Sequence, residues 1–201
     1  MSIAVYFIAY LIGSIPIGYI MAKLKGVDIR QSGSGNIGAT NVIRVLGTGP
    51  GLFVFFLDTM KGVVACLLAY QFIELRELVF ACGFCCVLGH STSPFLKFKG
   101  GKGVSTALGV LIASVPMVAF ISLSVFLLVV MLTRYVSLGS IFAATTVGAT
   151  GWLVQDNIIV SIVCTLLGSM VILLHTKNIK RLVTGTESKL SFKKQEKQLV
   201  N

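Results

Sequence analysis

From Gly103 to Thr133 the chain runs 31 residues without a charged side chain. At 1.5 Å per residue this would be a helical rod of about 46 Å. A bilayer's hydrocarbon core is about 30 Å thick and is crossed by about 20 apolar residues. The run is long for one crossing and short for two. Pro116 at its middle removes a helical hydrogen bond and breaks or kinks it there. Five further apolar runs, 2–22, 51–73, 77–93, 135–155 and 157–175, match single crossings. The 201 residues are 55% apolar and 12% charged, whereas soluble domains carry about 25% charged residues. So short a chain has too little interior to hide this surface from water. The expected fold class is all-α: a multi-pass transmembrane helical bundle.

The basic residues set the orientation. Take the loop 23–50 as cytoplasmic and 103–133 as two short spans, seven in all. The cytoplasmic side then receives Lys23, Lys25, Arg30, Arg44, Lys97, Lys99, Lys102, Arg134 and the seven basic residues beyond 175, which is 15 of the 17 Lys and Arg. Arg76 is left outside and Lys61 within a span. A single crossing of 103–133 leaves only 7 inside. The positive-inside rule therefore favours seven spans, N-terminus outside and C-terminus cytoplasmic, with short interfacial helices and glycine-rich loops on the cytoplasmic face. A five-span arrangement would also keep the tail inside. The outward loops are short and acidic, with Glu74, Glu77 and Asp156. A formal net charge of +10 suggests nucleic acid in a soluble protein, but here the charges cluster between apolar runs, so no nucleic-acid partner is expected. Residues 2–22 are uncharged and Lys23 and Lys25 follow them, which is a first span rather than a cleaved signal peptide. Residues 1–187 read as one integral membrane domain. Residues 188–201 read as a basic, flexible cytoplasmic tail near anionic lipid headgroups.

Cys66, Cys82, Cys85, Cys86 and Cys164 all lie in apolar runs and read as small buried hydrophobes. Cys82 and Cys85 have the spacing of a metal pair, but the second ligand pair is missing, so no metal is expected. In 135–155 the residues Gly139, Ser140, Ala143, Ala144, Gly148 and Ala149 permit close helix contact.

Five stretches carry chemistry. The first is Ser32-Gly33-Ser34-Gly35-Asn36, continuing through Gly38, Thr40 and Asn41 to Arg44. It contains Gly33-x-Gly35-x-x-Gly38, but a dinucleotide site needs a preceding strand in a βαβ unit, and a membrane span stands there instead. The glycines still let backbone N–H groups approach an anion, and a helix starting near Asn36 would point its positive end at it. Arg44 can grip a phosphate with two parallel hydrogen bonds. The second stretch, Ser93 to Gly103, ends in Gly100-Gly101-Lys102-Gly103 before a long apolar run. It is not a P-loop, because Gly103 stands where Ser or Thr should follow the lysine, yet it again offers N–H groups and a cation at a helix start. The third is Asp58 and Lys61, spaced to pair on one helix face inside a span. Both a structural pair and direct substrate contact are open for them. The fourth is Arg134 with Ser137 and Ser140. The fifth, at the end of the last span, holds His175 and Asn178 on one helix face, followed by Arg181 and Glu187. His90 lacks such company and reads as a packing or interfacial histidine.

Together these blocks resemble the bacterial acyl-phosphate:glycerol-3-phosphate acyltransferase family. The resemblance rests on SGSGNIGATNVIR (32–44), DTMKG (58–62), GHSTSPFLKFKGGKGVST (89–106), RYVSLGSI (134–141) and HTKNIKRLVTGTESK (175–189), in the family's order over most of the chain. Ser93-Pro94 stands where the family more often has Pro-Val, and Ser105 where it often has Ala. The resemblance implies an enzyme of the bacterial cell inner membrane, with its site at the cytoplasmic side. It would move a long-chain acyl group from acyl phosphate to the 1-hydroxyl of glycerol 3-phosphate, giving lysophosphatidate and phosphate in phospholipid synthesis, without a cofactor. No Ser-His-Asp arrangement is evident, and Phe95 stands where the His-x4-Asp pair of acyl-CoA-dependent acyltransferases would need an Asp after His90.

On this reading Arg44, Lys102, Gly101, Gly103 and the Ser32–Asn36 loop with Thr40 and Asn41 hold phosphates. His175, Asn178 and Ser140 orient the acceptor or the developing oxyanion. Asp58, Lys61, Arg134, Ser137 and Glu187 support them. The mixed anhydride already has a good leaving group, so positioning and electrostatics suffice for direct transfer. The main rival is a small transporter of an anionic phosphorylated solute, which broken helices and an intramembrane Asp–Lys pair also suit. The absence of an inverted repeat counts against it. A non-catalytic scaffold leaves the glycine–cation clusters unexplained.

Overall fold

The computed structural model describes residues 2–190, and all regular structure in them is helical. The elements are α1 (Ser2–Ser14), α2 (Ile17–Leu24), α3 (Ala39–Leu46), α4 (Thr48–Tyr70), α5 (Arg76–Ser91), α6 (Val104–Ser114), α7 (Pro116–Thr133), α8 (Val136–Leu153), α9 (Ile158–Leu174) and α10 (Thr176–Val183). Short 3-10 turns stand at Ile29–Gln31 and Pro94–Leu96.

The long uncharged run does break at Pro116, which becomes the first residue of α7, while Val115 leaves helical geometry at φ −140° and ψ 68°. Another proline breaks the first apolar run, because Pro16 separates α1 from α2. Among the described residues, five segments are long and apolar enough to cross a membrane: Ile3–Leu24, Thr48–Tyr70, Arg76–Leu96, Pro116–Thr133 and Val136–Leu153. A sixth forms if α9 and α10 count as one span bent by 56°. The 11 residues of α6 are apolar, but they cover only about 16 Å at 1.5 Å per residue.

The packing is inverted relative to a soluble protein. Its core is made mostly of small side chains, among them Ala9, Ala65, Cys66, Val110 and Val118, with Phe80 and Leu167 among the few large ones. Polar Asp58, Lys61, His90 and His175 are buried beside them. Large apolar residues point outward, with Phe120 69% and Met131 78% exposed. That surface suits lipid. Four of the five cysteines are buried, as their apolar setting suggested. A second, smaller cluster of Ala22, Ile29, Ile37, Val42, Val54 and Leu96 seats the 25–41 loop and α3 against α4.

α1 packs mainly on α5, α4 on α6, and α8 on both α7 and α9. Two of these contacts are backbone-close. A Cβ on Gly109 would sit 1.9 Å from the Thr59 carbonyl oxygen, and one on Gly62 2.3 Å from that of Thr106. Within α8, Gly139 meets α7 at Phe126 and Val130, and Ala144 meets Gly168 of α9. Gly148 is looser, 3.9 Å from Thr165 Cα. Replacing Gly109 by Val should therefore lower the thermal midpoint in detergent, with overpacking costs of about 1–3 kcal/mol or more, whereas Gly148→Ala should leave it unchanged or raised. Equal midpoints for the two variants would contradict the close α4–α6 contact.

Candidate active site

The first loop folds around one amide. The Asn41 side chain, 2% exposed, donates to the carbonyls of Asn36 (2.8 Å), Ser32 (2.9 Å) and Ile29 (3.3 Å), and its Oδ1 accepts from Ser34 N–H at 2.8 Å. Ser32 Oγ donates to the Asp28 carbonyl at 3.0 Å. Gly33 and Gly35 turn the chain at φ 61° and 71°. Ser32 and Asn41 therefore shape the loop from within. The result is a cleft onto which the α3 N-terminus opens, with Gly38, Ala39 and Thr40 on its wall beside Ser34 and Asn36. The first N–H groups of a helix have no partner inside it.

A second helix start faces the same cleft. The N–H groups of Gly100 and Gly101 donate to the carbonyls of Ser91 and His90, each at 3.0 Å, fastening the glycine pair to the end of α5. Gly103 then turns at φ 77° as the N-cap of α6, which places Lys102, Gly103, Val104 and Ser105 on the cleft wall. Lys102 Nζ donates to Asn178 Oδ1. Burial pushes the Lys102 pKa down to about 8; nearby Glu187 opposes this, and Arg181 and Arg44 add to it.

The fifth stretch forms a network on Glu187, which is 8% exposed. Oε1 accepts from Ser137 Oγ and Asn178 Nδ2, each at 2.7 Å, and Oε2 accepts from Arg181 Nε at 2.6 Å. Burial works to raise this carboxyl's pKa, but the hydrogen bonds from Ser137, Arg181 and Asn178 outweigh it and hold it below the ordinary value. Asn178 thus bridges Glu187 to Lys102. Arg44 reaches the same region, donating from Nη2 to the Ser188 carbonyl at 3.0 Å. The His175 ring nitrogen Nδ1 lies 2.7 Å from the Val171 carbonyl. A carbonyl only accepts, which assigns the proton to Nδ1 and leaves Nε2 as an acceptor. Ser140 Oγ donates back to the Val136 carbonyl at 2.9 Å.

Asp58 and Lys61 pair at 2.9 Å, as their spacing suggested. Lys61 Nζ also donates to the carbonyls of Gly13 and Ile15, each at 3.0 Å, which border the break at Pro16. It lies 3.1 Å from His90 Nδ1. His90 therefore has more company than its sequence neighbours suggested, and both it and Asp58 line the cleft. Its Nε2 packs on Gly101, where a Cβ would sit 2.1 Å away.

The cleft thus draws on all five stretches, directly or through Asn178. The side chain of Arg134 is not brought in; it is exposed, and its carbonyl instead accepts from Leu190 N–H at 2.7 Å. With Ser188 held by Arg44, the chain is tied down through Leu190, beyond the 187/188 boundary expected for a flexible tail. The rest of that tail, 191–201, lies outside the described residues. Sequence reasoning expects the spans to house an acyl chain but does not say which of their apolar residues do so. The cleft, about 650 Å³ including its open mouth, shares Phe55, Val104, Phe126 and Ser140 with an apolar groove among α6, α7, α8 and α9 of about 560 Å³, its open side included. A phenylalanine facing a groove and one facing lipid look alike in sequence.

The sequence model described as "Glycerol-3-phosphate acyltransferase" matches residues 3–185. A protein of Trichlorobacter lovleyi named glycerol-3-phosphate acyltransferase is 44% identical over 181 residues, covering 90% of this chain and 93% of its own. A crystal structure of PlsY (YgiH), described as an integral membrane glycerol 3-phosphate acyltransferase in its glycerol 3-phosphate form, superposes with a TM-score of 0.90 at 42% identity, over 94% of this chain and 96% of that one. Its lysophosphatidic acid form gives 0.86 at 42% identity, over 95% and 96%. With matches of this extent in sequence and in fold, the chain belongs to the glycerol-3-phosphate acyltransferase family.

Proposed function

We propose that this protein transfers a long-chain acyl group from acyl phosphate to the 1-hydroxyl of sn-glycerol 3-phosphate. The observation that carries the reading is the junction of the two cavities. A cleft with two helix N-termini and Lys102 suits phosphate. An apolar groove sharing Phe55, Val104, Phe126 and Ser140 with it suits an acyl chain. The neighbouring structures described as glycerol 3-phosphate and lysophosphatidic acid forms support the acceptor and the product.

The transfer is direct. The 1-hydroxyl oxygen attacks the acyl carbonyl carbon, the bond from that carbon to the phosphate oxygen breaks, and the hydroxyl proton passes to the departing phosphate. Phosphate is a good leaving group, so the protein supplies position and charge. Lys102, Arg44 and the N-termini of α3 and α6 hold phosphates. His175 Nε2, free to accept, orients the acceptor hydroxyl together with Asn178 and Ser140. Glu187 fixes Asn178 and thereby the direction of Lys102.

In the membrane we assign seven crossings, N-terminus outside and site toward the cytoplasm of a bacterial inner membrane, on the distribution of Lys and Arg. Since α6 covers only about 16 Å, its N-terminus and the cleft are then recessed below the membrane surface.

Arg44→Ala and Lys102→Ala should each lower kcat/KM for glycerol 3-phosphate by about 100-fold or more, with thermal midpoints close to the parent's. Retained turnover in both variants would remove them from the site. The pH profile gives a second check. Lys102 is cationic below about 8 and neutral above it, so affinity for a phosphate is present at low pH and lost as pH rises. The second phosphate pKa is about 6, so the substrate does not titrate in that window. The limb above pH 8 in kcat/KM should disappear in Lys102→Arg, and a limb unchanged by that substitution would contradict the assignment.

A further inference from the structure

We propose that Asp58 selects the acceptor by taking a hydrogen bond from the C2 hydroxyl of glycerol 3-phosphate; this rests on the acceptor named under Proposed function. Asp58 is 2% exposed and lines the polar cleft. Its Oδ1 stands 2.9 Å from Lys61 Nζ, a close charge contact that lacks the alignment of a hydrogen bond. Among the described residues no hydrogen bond reaches Oδ2 either, whereas Lys61 is anchored to the Gly13 and Ile15 carbonyls. Lys61 compensates the charge at Oδ1, which His90 Nδ1 approaches to 3.8 Å, without filling its lone pairs. A buried acceptor whose hydrogen-bonding capacity is unfilled is costly, so the carboxylate is held in place with unused lone pairs beside the substrate cleft.

An ionised carboxylate can only accept hydrogen bonds. Phosphate oxygens repel it, so it does not belong to the phosphate end of the site, where Lys102 and the helix N-termini stand. Hydroxyl groups are the donors that glycerol 3-phosphate offers. Two are present, and the cavities distinguish them. The reacting C1 hydroxyl must lie at the junction with the apolar groove, which Phe55, Val104, Phe126 and Ser140 form. Asp58 lines the cleft and is not among the groove residues. It therefore meets the hydroxyl that does not react. Lys61 balances the carboxylate charge, so the cleft keeps its affinity for an anion. A site built to bond a hydroxyl rejects analogues lacking it much more strongly than an apolar pocket could. A carbonyl at C2 is worse still, because two acceptors then face each other.

The test uses the full-length protein in detergent micelles with palmitoyl phosphate and three acceptors. These are glycerol 3-phosphate, 3-hydroxypropyl phosphate, which lacks the C2 hydroxyl, and dihydroxyacetone phosphate, which has a carbonyl there. The kcat/KM values should fall in that order, the first step by about 10- to 100-fold, as for loss of a hydrogen bond to a charged group. In Asp58→Asn, Lys61 keeps the amide oxygen and the N–H groups turn to the cleft, so dihydroxyacetone phosphate should overtake 3-hydroxypropyl phosphate. A merely structural role would lower all three values together and leave their order unchanged, and that result overturns the proposal. So does a parent protein that uses dihydroxyacetone phosphate at least as well as 3-hydroxypropyl phosphate, a comparison that stands even if the variant does not fold. Failure of the folded parent protein to acylate glycerol 3-phosphate would instead overturn the acceptor reading and this inference with it.

Discussion

Inside a bilayer there is no water to satisfy a backbone N–H or C=O, so a helix can be interrupted only where protein groups replace the lost partners. Apart from the break at Pro116, the interruptions of this bundle stand near its polar cleft, and most meet that condition with protein groups. At Pro16 the carbonyls of Gly13 and Ile15 are taken by the buried ammonium of Lys61. Between α5 and α6, Gly100 and Gly101 return their N–H groups to Ser91 and His90. At the α9–α10 bend the His175 N–H is bonded to the Ile172 carbonyl, while the ring donates to that of Val171. The starts of α3 and α6 are the exception, with N–H groups open toward the cleft, and that is where an anion would substitute for water.

The cations around this opening share one nearby carboxylate, Glu187. Burial disfavours the charge of Lys102 and of Arg44, Arg181 adds to this for both, and Glu187 opposes it for both. Through its bonds to Ser137, Asn178 and Arg181, Glu187 also ties the start of α8 to α10. The segment after α10 is thus held against the bundle, and Arg44 and Arg134 fasten it at Ser188 and Leu190.

Much of this was legible in the residues, because lipid imposes simple rules. The break at Pro116, the pairing of Asp58 with Lys61, the burial of the cysteines and the convergence of the glycine-rich stretches all follow from length, charge and spacing. The break at Pro16 was less legible, since a single apolar run gives no sign that Lys61, 45 positions further on, will replace the missing bond. His90 packs on Gly101, as a packing histidine would, but its polar company was missed for the same reason: its partners come from α4, not from its neighbours in sequence. Asn41 and Ser32 carry the groups of a phosphate binder, yet their hydrogen bonds are used within the loop, a fact that only the fold determines. The short α6 shows that an uncharged run fixes where a chain lies but not how deep each half of it reaches.

The central claim is that a phosphate cleft and an acyl groove meet so that an activated acyl group passes directly to glycerol 3-phosphate. The most direct measurement is turnover by the purified protein in micelles with palmitoyl phosphate and glycerol 3-phosphate, following phosphate and lysophosphatidate together, with palmitoyl-CoA as the control donor. The account predicts the two products in equal amounts from the acyl phosphate and none from the thioester. Folded protein that makes no lysophosphatidate from palmitoyl phosphate, or that makes it as readily from palmitoyl-CoA, would contradict it.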